Sequence, residues 1–168
     1  SLRSPLDQRA PPSRGRLASV TMTPLALPAA DDAHAWVETR ATEGMATARR
    51  LVDALREAAP TDALEALRQW DEVSLQLSNV AAMGSLISNV HPTEEVRDVA
   101  ERAEQDVMRL STELSLDRTL YDVFAALDGS GLDQQAARLL TKVLDDFRRS
   151  GVDRDDETRA RITAINER

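Results

Sequence analysis

Residues 61–92 read TDALEALRQWDEVSLQLSNVAAMGSLISNVHP. Leu64, Leu67, Trp70, Val73, Leu77, Val80, Gly84 and Ile87 recur at steps of three or four, which gathers them into one stripe along a helix. Thr61 or Asp62 stands where a side-chain oxygen can accept the first free amide hydrogens. Asn89-Val90-His91-Pro92 breaks the run. The predicted helix has roughly 27 residues and is about 40 Å long. Ala81, Ala82, Gly84 and Ser85 are small, so a neighbouring backbone is expected to come close there.

The flanking segments repeat the pattern. Upstream, Val37, Ala41, Met45, Ala48, Val52 and Leu55 form the stripe of a first helix. It opens at Asp31 or Asp32 and ends before Pro60, because a residue preceding proline is pushed out of the α region. Downstream, Pro92 suits the first turn of a third helix, and Glu94 and Glu95 complement its dipole. Its stripe is Val96, Val99, Ala103, Val107, Leu110 and Leu114. A short fourth helix is expected over Leu116–Leu127, with Leu116, Leu120, Val123, Phe124 and Leu127 inward. Asp128-Gly129-Ser130-Gly131 reads as a turn. A fifth helix follows over Leu132–Ser150, with Leu132, Ala136, Leu139, Leu140, Val143 and Phe147 inward. Gly151 suits a left-handed stop. Asp155 and Asp156 open a sixth helix with Ile162 and Ile165. No strand alternation or repeat interrupts this order. The expected fold is an all-α bundle of five to six mostly antiparallel helices joined by short loops.

Composition supports that reading. The 168 residues are 42% apolar but only 3% aromatic, so the core must come from Leu, Val, Ile and Ala. The net charge is −8 and the pI near 4.8. An acidic chain repels a phosphate backbone, so no nucleic-acid partner is expected. Cysteine is absent, which excludes disulfides, thiolate nucleophiles and cysteine zinc sites. No apolar run approaches the roughly 20 residues that cross a bilayer, and no secretory h-region opens the chain. No membrane partner and a cytoplasmic location are expected.

Residues 1–30 stand apart. They hold Pro5, Pro11, Pro12, Pro24 and Pro28 together with Arg3, Arg9, Arg14 and Arg16. Residues 1–21 carry +3, leaving −11 on 22–168. Such a segment reads as a disordered or non-structural leader. An organelle transit peptide is the competing reading, and Met22 is a plausible true start. Residues 31–168 then form a single helical domain. The first residue is Ser1, and Ala160–Arg168 stops inside a helical pattern, so a fragment truncated at its C-terminal end is expected.

The search for chemistry returns structural residues. His34 and His91 are 57 positions apart, no H-E-x-x-H pair exists, and zinc needs three or four converging ligands. Asp31-Asp32, Glu94-Glu95, Asp145-Asp146 and Asp155-Asp156 sit at helix starts or on polar faces, where solvation and the dipole account for them. Gly129-Ser130-Gly131 lacks the lysine and preceding strand of a phosphate loop. Ser74, Ser78, Ser85 and Ser88 have no histidine nearby in sequence. Arg49-Arg50 and Arg148-Arg149 read as solvated helix faces. Trp36 and Trp70 are candidate partner anchors, although their place on helical stripes favours packing inside the bundle. No catalytic, cofactor-binding or metal residue is identified.

A resemblance goes further than the residues alone. HPTEEVRDVAERAEQDV at 91–107 and LSLDRTLY at 114–121 resemble the N-terminal region of zinc metallopeptidases of the thimet oligopeptidase and oligopeptidase A family. ARLLTKVLDDFRRSGV at 137–152 is similar to that family's leucine-rich helix ending in Arg and Gly. ETRARITAI at 157–165 resembles the start of its next long helix, and Trp70-Asp71-Glu72-Val73 matches in order. The resemblance spans about residues 32–168. It implies a larger, two-lobed, mostly helical metallopeptidase that hydrolyses short peptides. The Zn2+ of that parent would be held by an H-E-x-x-H helix and a later Glu, which lie beyond this chain, and zinc would activate water there. This chain would form part of the substrate-channel wall, would bind no zinc, and would pair with a missing C-terminal catalytic lobe. Cut from that lobe, it is expected to leave an apolar face uncovered and to self-associate weakly or show partial molten character. The alternative is a stand-alone helical interaction module without enzymatic activity.

Overall fold

The computed structural model describes residues 28–57 and 60–166. Most of the leader expectation (residues 1–27) and the last two positions lie outside that range. The described residues form six α-helices and no strand: α1 (Ala33–Glu57), α2 (Ala63–Val90), α3 (Glu94–Ser115), α4 (Arg118–Ala125), α5 (Gln134–Ser150) and α6 (Asp156–Asn166). The all-α bundle holds.

The three long helices run up, down and up. The start of α1 (Ala33, Val37) packs with the start of α3 (Val96, Val99, Ala100) and with Met83 and Ile87 near the end of α2. At the opposite end, Arg56 in the last turn of α1 reaches Asp117, just past α3. Gly84 lies where α2 crosses α3, and an added Cβ would meet the Ala100 carbonyl oxygen at 2.9 Å. The close approach expected of the small residues therefore occurs at Gly84. Ala82 points outward instead.

The main core fills the end where α4 and α5 close the bundle. Leu55, Leu67, Val73, Leu110, Leu120, Phe124 and Phe147 meet there. The chain is poor in aromatics, and it concentrates them: of two Trp, one Tyr and two Phe, Trp70, Tyr121, Phe124 and Phe147 form one cluster with centroids 5.6–6.1 Å apart. Edge and tilted contacts of this kind suit the ring quadrupoles.

Several boundaries and facings differ from expectation. Asp31 and Asp32 form a short 3-10 turn leading into α1 rather than a plain cap. Pro92 lies before the Thr93 N-cap of α3, not in its first turn. Leu116 is the C-cap of α3, so α4 starts only after Asp117. Asp133, whose carboxylate accepts from the Ala136 amide at 2.8 Å, starts α5 two residues later than expected. Leu64 is exposed, and Ala63, Ala66 and Leu67 are buried in its place. Leu139 and Ile165 are also exposed. Of the adjacent Leu139 and Leu140, Leu140 takes the inward place.

Asp117 has two tasks. Its Oδ1 accepts from the Leu120 amide at 2.9 Å and so caps α4. Its Oδ2 accepts from Arg56 Nε at 2.9 Å. Burial acts against the charge of Arg56, but the hydrogen bond and charge of Asp117 outweigh it, and the guanidinium holds its proton more tightly than usual. Asp117→Ala removes cap and tether together, and we expect a loss of about 2 kcal/mol. Asp117→Asn keeps an acceptor for the cap and should lose less. Urea unfolding midpoints of the two variants check the order.

The fifth helix ends as expected at Gly151, which adopts φ 97°. Its amide donates to the Arg148 carbonyl at 3.0 Å, and Val152 donates to Phe147 at 3.2 Å. This paired closure is the Schellman arrangement, and it carries the usual apolar contact across the stop. Val152 is fully buried as a result.

Candidate functional site

A groove of about 1050 Å³ lies between α1 and α2, lined by residues of those two helices and by Asp32. Buried Val80 and Gly44 form its floor. Trp36 and Met83 are half-buried on its walls, and Leu86 is exposed at its edge. The Arg40 guanidinium lies 4.7 Å from the centre of the Trp36 ring, a cation–π distance. Asp32 and Glu43 are the acids of the rim. Trp36 is thus a groove wall, whereas Trp70 joins the aromatic core, with Phe124 5.6 Å away. The lining combines apolar walls and small floor residues with three charged side chains, Asp32, Arg40 and Glu43.

A second hollow of about 640 Å³ lies among α1, α3 and α6. Its arginines face acids already: Arg49 lies 3.7 Å from Glu113, and Arg109 pairs with Asp106. These exposed pairs contribute little to stability, but they leave no concentrated charge to attract an anion.

The residues weighed for chemistry fall into structural places. His34 is exposed on α1. His91 is the C-cap of α2, and its Nδ1 accepts from the Thr93 amide at 3.2 Å. Glu94 and Glu95 sit in the first turn of α3. Asp145 pairs with Arg148, and Asp146 with Lys142 and Arg149. Asp156 pairs with Arg159. Asp128 closes a tight turn by accepting from the Ser130 amide at 2.9 Å. Among the described residues, no group of three or more His, Asp or Glu is placed to hold a metal. The described side chains do not assemble a zinc site. No helix of the described residues is long and apolar enough to cross a membrane.

Two exposed aspartates gain from local amides. Thr158 donates its backbone N–H to Asp155 at 2.7 Å, which holds that carboxyl below its ordinary 3.8. Ser130 does the same for Asp128. A carboxyl lowered on folding stabilises the fold above its unfolded value, and the contribution is lost as pH falls through the folded value. We therefore expect α6 to lose its cap below pH 3.8. The carboxyl carbons of Asp155 and Asp128, followed by NMR, should both titrate below that value; midpoints at or above it would contradict the capping role.

Two arginines tie loops and helix ends together. Arg97 Nη1 donates to the carbonyls of His91 and Pro92 at 2.8 and 2.9 Å, closing the α2–α3 loop on itself. Arg148 Nε donates to the Tyr121 hydroxyl at 3.2 Å, linking the ends of the LSLDRTLY and leucine-rich segments. That hydrogen bond raises the Arg148 pKa above its ordinary value. No protein-family profile, curated protein or solved structure matches this chain.

Proposed function

We propose that this chain is a helical N-terminal part of a zinc-dependent oligopeptidase of the thimet oligopeptidase and oligopeptidase A type, acting in the cytoplasm on short peptides. What supports the reading is the order and spacing of the resembling segments along an all-helical chain: residues 91–107, 114–121, 137–152 and 157–165 fall at α3, the α3–α4 junction, α5 and α6 in turn.

In this reading the chain supplies wall, not chemistry. Its helices narrow the access to a zinc centre carried by the rest of the parent, so that extended, short peptides enter and folded proteins do not. The acidic body disfavours nucleic acid as a substrate. The deciding experiment is to read the coding frame past Arg168. An in-frame His-Glu-x-x-His helix supports the proposal, and a stop codon without one removes it.

The α1/α2 groove favours a second reading, a non-enzymatic interaction module that seats a partner helix. That reading predicts a complete protein whose only activity is binding.

A further inference from the structure

One end of the α1/α2 groove opens where the described chain begins. Asp32, Trp36, Met83 and Ile87 line that end. Pro28 is already half-buried, and the Asp32 amide donates to the Ala29 carbonyl at 3.0 Å to close the 3-10 turn into α1. The chain that precedes Pro28 therefore leaves the body beside the groove. Residues 17–27, outside the described range, read LASVTMTPLAL and hold no charged residue, in a chain whose residues are 30% charged. Leu17, Val20, Met22, Leu25 and Leu27 give this stretch apolar surface of its own.

We propose that residues 17–27 are the occupant of this groove, turning back at Pro28 and running along α1 in the opposite direction. Length allows it. The α1 wall from Asp32 to Thr47 is about 22 Å long, and eleven residues reach up to roughly 36 Å when extended. The walls offer Trp36, Met83 and the exposed Leu86, whose apolar surface is stabilised by cover. Pro24 adds to the match. Proline restricts the backbone before binding, and aromatic-lined grooves take proline-bearing extended segments.

Charge favours the same occupant. Residues 1–21 carry +3 and residues 22–168 carry −11, so the leader and the helical body attract each other. Arg14 and Arg16 stand immediately upstream of the uncharged stretch, which brings them to the far end of the groove, where Glu43 is on the rim. The tether favours it further. A segment joined to its site by a few residues acts at an effective concentration on the order of millimolar, so a contact too weak to form between separate molecules is occupied within one. A partner helix that uses the groove must then displace the leader. This inference does not depend on the peptidase reading, since it concerns this chain alone.

The chain has no cysteine, so Ser19→Cys gives a single attachment point for a nitroxide in the full chain. The expected result is loss of the Gly44 and Gln76 amide NMR signals, which belong to groove-lining residues far from Pro28. Glu95, exposed at the start of α3 on the same end of the bundle as Pro28, should keep its signal. Added salt should restore part of the lost intensity. Leu25→Asp combined with Leu27→Asp should restore nearly all of it with an unchanged circular dichroism spectrum. Retention of the Gly44 and Gln76 signals overturns the proposal, and so does equal loss at Glu95, which marks a leader without a preferred place. Loss that survives the double substitution also overturns it. So does loss transferred to an isotope-labelled, nitroxide-free copy mixed with the labelled chain, because the groove is then filled by a second molecule.

Discussion

Phe124→Ala is expected to remove about 3–5 kcal/mol of stability, a large share of the roughly 5–15 kcal/mol that holds a domain together. Phe124 is fully buried. Its ring lies 5.6 Å from Trp70 and 6.1 Å from Phe147, so it joins α2, α4 and α5 at one point. The short helix α4 has eight residues, too few to persist without tertiary packing. Truncating Phe124 leaves a cavity between rings that have few other aromatic neighbours. It also withdraws one of the two buried anchors of α4, the other being Leu120. The loss should appear as a lower urea midpoint. It should also appear as red-shifted emission from Trp70, read in a Trp36→Phe background so that the groove tryptophan does not contribute. Leu139→Ala, at an exposed position of α5, is the matched control and should move the midpoint little. Equal effects from the two substitutions would mean that the aromatic cluster does not hold α4 against α2 and α5.

The legible part of this fold follows from period. Where one stripe is apolar and the rest charged, as in α3, every expected inward residue (Val96, Val99, Ala103, Val107, Leu110 and Leu114) is buried. Where the helix is apolar on several sides, as in α2, period alone does not choose the face. Leu64 was the natural choice by side-chain size, yet the inward face runs through Ala63, Ala66 and Leu67. The choice is made by how closely α2 must approach its neighbours, and alanine permits an approach that leucine does not. The starts of α4 and α5 fall later than the apolar period alone suggests because Asp117 and Asp133 cap them, and Asp is among the best residues at that position. Val152 was missed too, and its position just past Gly151 was the available signal, since an apolar residue there closes a Schellman stop.

The candidate groove was less visible than the fold. Trp36 stood out in the sequence, but its partners across the groove, Met83 and Leu86, belong to a different helix. Only the register of α1 against α2 brings them together. The small residues of α2 likewise looked equivalent in the sequence. The structure separates them into Gly84, pressed against α3, and Ala82, facing solvent.

Gly84→Val is expected to cost about 3 kcal/mol, and the reason lies in what the new side chain would strike. A Cβ at Gly84 would stand 2.9 Å from the Ala100 carbonyl oxygen and 3.2 Å from the Glu104 amide nitrogen. Both are backbone atoms of α3, so no rotamer change relieves the clash and the two helices must separate. Replacing glycine within a helix normally gains up to about 1 kcal/mol of propensity, which means the measured loss understates the steric cost. Gly44 provides the contrast. A Cβ there would meet Val80 Cγ2 at 2.6 Å, a side-chain atom that can be deleted. Gly44→Ala should therefore be partly rescued by Val80→Ala, whereas no side-chain truncation on α3 should rescue Gly84→Ala. Urea midpoints for both series distinguish a contact between side chains from one between backbones. Rescue of the Gly84 variant by a substitution on α3 would show that α2 and α3 are held apart by side chains, and the expected close crossing would be wrong.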